Sequence, residues 1–325
     1  MDEKVKKFCK KLKFKKIIEL KNWNPIKINN QLELTLSKVS NDTDSWLHIK
    51  SDDFSILNLN DCVLSKKELR LIEKKFTNTT ILLTQFSFAS WAGNKNNSTK
   101  IKDAAKKYLK RLKVISETVR PKHIIPFASY IWFCSKENYY FNEYSNKIDK
   151  IYQYLKDIKS SPTVLYPGET WSFLDEKHDS LKSLERYKKD YKEINVNNTI
   201  KVKEIKMKDL YDSANKFIDR SLRLNSEFRL RRYKPFRIHI NDYDLLFEFS
   251  FNKGLNKIYD GSKIDISFSS QNLKYCFDYM WGFDTILVAG TYQKPSSGDF
   301  QRFLEYQWVA NRNNTGKKIK LINLW

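Results

Sequence analysis

Residues 81–83, Ile81-Leu82-Leu83, form a short run with no polar member. Such a run suits a strand covered on both of its faces. The next segment settles what covers it. Ile101, Ala104, Ala105, Tyr108, Leu112 and Ile115 recur at intervals of three and four, the spacing of one helix face. That helix must stop before Pro121, which lacks an amide proton and disfavours a helical predecessor. The pattern then recurs. Ile124-Ile125 opens a strand, Ile148, Ile151, Tyr152 and Leu155 stripe a helix, and 163–166 form a strand closed by Pro167-Gly168. Strands alternating with helices imply helices packed against a sheet.

Upstream, 17–20, 25–28 and 32–36 read as strands, and 46–50 with 54–59 flank the polar turn Ser51-Asp52-Asp53 as a hairpin. Ser65 and Glu68 have the spacing of a capping box for a helix ending near Phe76. Residues 172–200 are charged and weakly patterned, which predicts a linker. Beyond it, 201–325 read as a smaller α+β unit: a helix over 205–222, a hairpin over 237–248 and a strand over 264–268. A helix over 270–281, a strand over 285–288 and a last helix from 299 complete it. The expected fold class is thus α/β or α+β, with a region 1–171, a linker 172–200 and a domain 201–325.

Sixty Lys and Arg oppose 38 Asp and Glu, a formal charge of +22. Such a surplus concentrates anions around the protein. Lysine, asparagine and isoleucine crowd the whole chain, however, so an AT-biased genome accounts for much of it. The densest basic cluster, 229–237, suits either phosphate binding or a solvated connector. Cys9, Cys62, Cys134 and Cys276 lie far apart with no C-x-x-C pair. That spacing argues against a zinc ribbon or a disulfide framework and fits reduced thiols in a cytoplasm. No apolar run approaches the ~20 residues of a membrane span, and the lysine-rich start lacks a signal-peptide core.

The histidines are four: His48, His123, His178 and His239. No two have ligand-like spacing, and no H-x-H-x-D-H occurs. His48 and His239 sit in alternating strands, His123 follows a helix end, and His178 lies in the charged stretch.

Four ordered stretches, "DSWLHIKSDDFSILNLNDC", "ILLTQFSFASWAGN", "IIPFASYIWFCSKENYYFNE" and "VLYPGETW", together resemble metallo-β-lactamase-fold proteins. The branch they resemble contains the lactamase-like part of CMP-N-acetylneuraminate hydroxylase and related metal-dependent hydrolases. The similarity covers roughly 10–170, and "YMWGFDTILVAGTYQ" is similar to a C-terminal extension in some of them. The resemblance implies the second half of an αββα sandwich, without the first metal-binding half. It makes Asp61 a candidate metal ligand and Asn60 a candidate to support that ligand and to bind substrate. A divalent Zn, Mn or Fe ion would be held only if a partner supplied histidines, because the H-x-H-x-D-H cluster is absent and Ser135 stands where relatives carry a further histidine. The non-metal reading of Asp61 is a turn carboxylate bonding nearby amides. The C-terminal domain is weakly similar to the sterol-carrier-protein fold, with Tyr275, Phe277, Met280 and Trp281 lining a cavity or forming core.

Gln85, Trp91 and Asn94 follow the buried strand and could line a pocket for a sugar or base ring, or pack as an aromatic corner. Glu137 and Asn138 are further substrate-binding candidates. Cys134 and Ser135 have no nearby histidine to activate them. Two functions compete. One is a metal-dependent hydrolase or oxygenase relative, incomplete or inactive alone, acting with a missing N-terminal half on an anionic small molecule such as a sugar nucleotide. The other is a non-catalytic basic binding or scaffold protein for acidic lipid, sugar nucleotide or nucleic acid, the last being disfavoured. The missing half also predicts a bare sheet face, open to self-association and disrupted by a charge at Leu57 or Leu59.

Overall fold

The computed structural model describes residues 3–40, 44–174, 178–194 and 199–320. The chain divides into two compact units: Met1–Ser87, Lys107–Tyr130 and Asn146–Glu193 make the first, and Phe88–Lys106, Ile131–Ser145 and Ile194–Trp325 the second. Each unit is therefore discontinuous, unlike the contiguous regions expected from the sequence. Among the described residues no helix is long and apolar enough to cross a membrane.

The first unit begins with helix α1 (Glu3–Lys11) and holds a six-stranded sheet ordered β1 (Ile26–Lys27), β2 (Glu33–Lys38), β3 (Ser45–Lys50), β4 (Ser55–Asn60), β5 (Ile81–Gln85), β6 (His123–Phe127). The strands are antiparallel through β4 and parallel from β4 to β6. The switch follows from the connections: α2 (Lys66–Phe76) and α3 (Ser98–Val119) carry the chain back between parallel strands. The capping box forms as its spacing predicts. Ser65 Oγ accepts from Glu68 N at 3.3 Å, and Ser65 N donates to Glu68 Oε2 at 2.6 Å.

One face of this sheet is covered. Trp46, Leu57, Leu59, Leu82 and Ile124 pack against Ile72 of α2 and Leu112, Ile115 and Val119 of α3. Ile148, Ile151 and Leu155 of α4 (Ile148–Asp157) complete the cluster. Leu57 and Leu59 have no exposed surface, so they do not lie on a bare face. The other face carries Leu34, Leu36, Leu47, Ile49, Ile56, Leu83 and Ile125, which remain partly exposed. The stretch expected as a linker contains α5 (Ser180–Glu193), anchored by buried Leu184 and Tyr187. Its side chains also explain why 163–166 is no strand: Val164 N donates to Ser180 Oγ and Leu165 O accepts from Tyr187 Oη. Residues 17–20 form no strand either.

The second unit has a four-stranded sheet ordered β10 (Ile266–Phe268), β7 (Phe236–Ile240), β8 (Leu245–Ser250), β9 (Gly254–Ile258), with β10 parallel to β7 and the rest antiparallel. Its helices are α6 (Met207–Leu224), α7 (Glu227–Leu230), α8 (Ser270–Asp278), α9 (Gly282–Ala289) and α10 (Phe300–Asn314). Phe217, Phe236, Phe249, Phe277, Phe303 and Tyr306 form an aromatic core, each burial contributing roughly 1.5–3 kcal/mol. The expected strand over 285–288 lies inside α9. Gly290, at φ +70°, ends that helix by donating its amide to Ile286 O. Of the residues expected around a cavity, Phe277 is core, whereas Met280 and Trp281 are about half exposed.

Candidate functional site

The sequence candidates fall into two groups. Asn60, Asp61 and Gln85 belong to the first unit. Asn60 is exposed at the end of β4, left-handed at φ 48°, with its amide on Asn58 Oδ1 at 3.0 Å. Asp61 follows it and is exposed. Gln85 is buried in β5, paired with Phe127 of β6.

The histidines do not join them. His48 is buried in β3, His123 packs edge-on against Trp171, and His178 Nε2 bonds Val164 O at 2.6 Å. Among the described residues no three His, Cys, Asp or Glu side chains gather to hold a metal ion. The donor set at Asp61 therefore does not fit a metal bound by these residues alone. Ser135 closes a local turn, its Oγ accepting from Glu137 N at 3.2 Å.

Trp91, Asn94, Glu137 and Asn138 belong to the second unit and converge on its residues 269–294. Asn94 clasps the main chain of Lys294 with both ends of its amide: Nδ2 donates to the carbonyl at 2.6 Å, and Oδ1 accepts from the amide at 2.7 Å. Trp91 Nε1 donates to Tyr292 O at 3.2 Å, and its ring stacks on Tyr292. The Lys294 ammonium lies 4.0 Å from the Trp91 ring centre and 3.9 Å from that of Phe300. Burial, helped by Lys100, lowers its pKa to about 8. Asn138 Nδ2 donates to Ala289 O at 2.8 Å.

Glu137 sits at the N-terminus of α8. It accepts from Ser269 N at 3.2 Å, Ser269 Oγ at 3.3 Å and Asn272 Nδ2 at 2.9 Å. Burial raises its pKa, opposed by these bonds. All four side chains thus hold the unit's own backbone and helix end, with their polar atoms engaged by the chain itself.

Beside this clamp is an arrangement that the sequence does not reveal. Ser267 of β10 and His239 of β7 are register partners on parallel strands, so their side chains share a face. Ser267 Oγ and His239 Nδ1 are 3.0 Å apart, and His239 Nε2 is 2.8 Å from Asp244 Oδ1. His239 and Ser267 line a cavity of about 580 Å3 with Asn94, Lys95, Asn96, Gln293 and Pro295. The carboxylate is almost fully exposed, and the serine bonds the nearer ring nitrogen.

A larger cavity, of about 1240 Å3, opens in the same unit along α7 and α10. It realises part of the basic cluster at 229–237. Arg231 is paired with Glu227 at 2.7 Å, and Arg237 with Glu248 at 3.4 Å and Asp260 at 3.3 Å. Arg229, Arg232 and Lys234 line the cavity with Arg302, Asp299 and Glu305; Arg302 Nε lies 3.9 Å from Asp299 Oδ2, and Arg229 Nη1 donates to Lys320 O at 3.0 Å. Phe228 and Trp308, 58% and 48% exposed, supply two aromatic faces. The Arg232 guanidinium lies 4.7 Å from the Phe228 ring centre, and Arg312 lies 4.8 Å from that of Trp308. Planar guanidinium groups match phosphate oxygens in pairs, and an exposed indole can stack on a flat ring. Arg302 and Trp308 carry no local sequence signal; only their position on α10 brings them to the cluster.

No family model matches this sequence, and no curated protein matches it. Among solved structures, the chain is similar to CmlA, a diiron β-hydroxylase from Streptomyces venezuelae, at a TM-score of 0.34 and 10% identity. The alignment covers 49% of this chain and 35% of that one. The likeness is a weak one to a protein of the metallo-β-lactamase fold and bears on neither site nor chemistry.

Proposed function

We propose that this chain is a binding module for phosphate-bearing small molecules, with the groove of Arg229, Arg232, Lys234 and Arg302 as its site. One observation carries the reading: four cations and the Trp308 indole face one cavity against two carboxylates. The cavity's volume exceeds the ~300–1,000 Å3 usual for a drug-sized ligand. A sugar nucleotide suits such a site, with its diphosphate on the arginines and its base on Trp308. Calorimetric titration with a UDP-sugar tests this. Arg229→Glu with Arg232→Glu should weaken binding at least about tenfold, and the affinity should fall as salt rises. Equal affinity in the double variant would remove the groove from consideration. The four cysteines are free thiols, which supports a reducing compartment such as the cytoplasm.

A second reading rests on the sequence resemblance: a lactamase-like hydrolase or oxygenase portion that acts together with a separate partner chain. The partly exposed apolar face of the first sheet favours it, since such a face needs a covering layer. Asp61, exposed at the end of β4, would be open to donors from another chain. Light scattering of the chain and of Leu47→Glu/Ile49→Glu, with elemental analysis for Zn, Mn and Fe, tests it. A metal-free monomer unaffected by the substitutions counts against this reading.

A further inference from the structure

Residues 4–16 contain eight lysines, Lys4, Lys6, Lys7, Lys10, Lys11, Lys13, Lys15 and Lys16, and no acidic residue. The apolar residues among them are ordered by α1. Its hydrogen bonding runs on to Leu12, whose amide donates to Phe8 O at 3.0 Å. Lys13 then turns left-handed at φ 59°, and the bonds from Lys13 N to Lys10 O and Phe14 N to Cys9 O close a Schellman cap. Val5, Phe8 and Leu12 stand at i, i+3 and i+7, so they form one stripe. That stripe faces outward: Val5 is 50% exposed, Phe8 60% and Leu12 56%, and Phe14 after the cap is 60% exposed.

A surface helix normally turns its apolar stripe to the core. Here the stripe is bare and lysines border it on both sides. A helix of nine residues is also marginal by itself in water. We infer that α1 lies flat on an anionic lipid bilayer, with Val5, Phe8, Leu12 and Phe14 dipping below the headgroups and the lysine ammonium groups meeting their phosphates. The charge pattern selects this occupant. From Lys4 to Lys16, past Glu3 at the first position of α1, the cationic band has no acidic member and matches an anionic plane, and the apolar stripe requires an apolar layer directly beneath it. The inference rests on residues remote in sequence from the groove and stands independently of the groove reading.

The test is sedimentation of the full-length protein with vesicles of phosphatidylcholine alone or with about 30% phosphatidylglycerol. Binding is expected to the anionic vesicles only, weakening at least about tenfold as salt rises from low to several times physiological strength. Phe8→Asp with Leu12→Asp should lower the anionic-vesicle affinity at least about tenfold. Both positions are exposed, and an unchanged circular dichroism spectrum would confirm the fold. Lys6, Lys7, Lys10 and Lys11 replaced by Gln should remove most of the salt dependence. Soluble glycerophosphoglycerol should not displace the protein, because it offers phosphate without an apolar layer. Absence of binding, equal binding to both vesicle types, full binding by the Phe8/Leu12 double variant, or loss of binding in Arg229→Glu/Arg232→Glu would each overturn the inference.

Discussion

His48 and Phe76 lie ring against ring, their centres 4.1 Å apart and their planes 27° from parallel. The stack leaves the imidazole 5% exposed. Burial, helped by Lys50, pushes its pKa down to about 4. In the unfolded chain the same group titrates near 6.5.

A pH dependence of stability follows from that difference. Above about pH 6.5 the histidine is neutral in both states and contributes nothing to the slope. As pH falls from 6.5 towards 4 the unfolded chain takes up the proton first, so stability is lost, by on the order of 3 kcal/mol in full. Urea unfolding across this range should show the loss in the parent and a reduced slope in His48→Phe. Identical slopes would mean that other groups are responsible.

Asn94 replaces a missing backbone partner for Lys294, and only a side-chain amide offers a donor and an acceptor in that geometry. Asn94→Ala should destabilise the second unit by about 2 kcal/mol, since a part-buried carbonyl and amide lose their partners. Asn94→Asp should be no better, because it sets a carboxylate oxygen against the Lys294 carbonyl. Chemical denaturation of the three proteins decides this; an Asp variant as stable as the parent would contradict it.

Gly290 combines a left-handed φ of +70° with crowding. A Cβ there would lie 3.0 Å from Phe141 Cε2 and 3.2 Å from the Trp91 backbone. Gly290→Ala should therefore lower stability by about 2 kcal/mol, from backbone strain and overpacking together. A thermal midpoint within error of the parent would show that the neighbours yield freely.

Asp61→Ala should change stability by less than about 0.5 kcal/mol, because the side chain is exposed. A large loss on denaturant titration would reveal a structural role for this carboxylate.

The local patterns in the sequence carried the main elements of the first sheet. The run 81–83 is β5, the stripe from Ile101 to Ile115 is α3, Pro121 follows its end, and Ser65 with Glu68 caps α2. These features depend on neighbours within one or two turns, so periodicity and capping chemistry suffice to read them. The lysines and apolar residues of α1 are local in the same sense.

Tertiary structure decided the rest. The β-branched Thr285, Ile286 and Val288 read as a strand by propensity, yet they lie in a helix ended at Gly290, because such preferences are weak beside packing and capping. The charged stretch 172–200 holds α5 because Leu184 and Tyr187 found a buried surface. Trp91 and Asn94 meet Tyr292 and Lys294 across about two hundred residues, and Arg302 joins Arg229 and Arg232 in the same way. No spacing in the chain encodes such meetings. They arise when hydrophobic burial folds remote segments together, and only then do hydrogen bonds and charges settle which side chains remain open to a ligand.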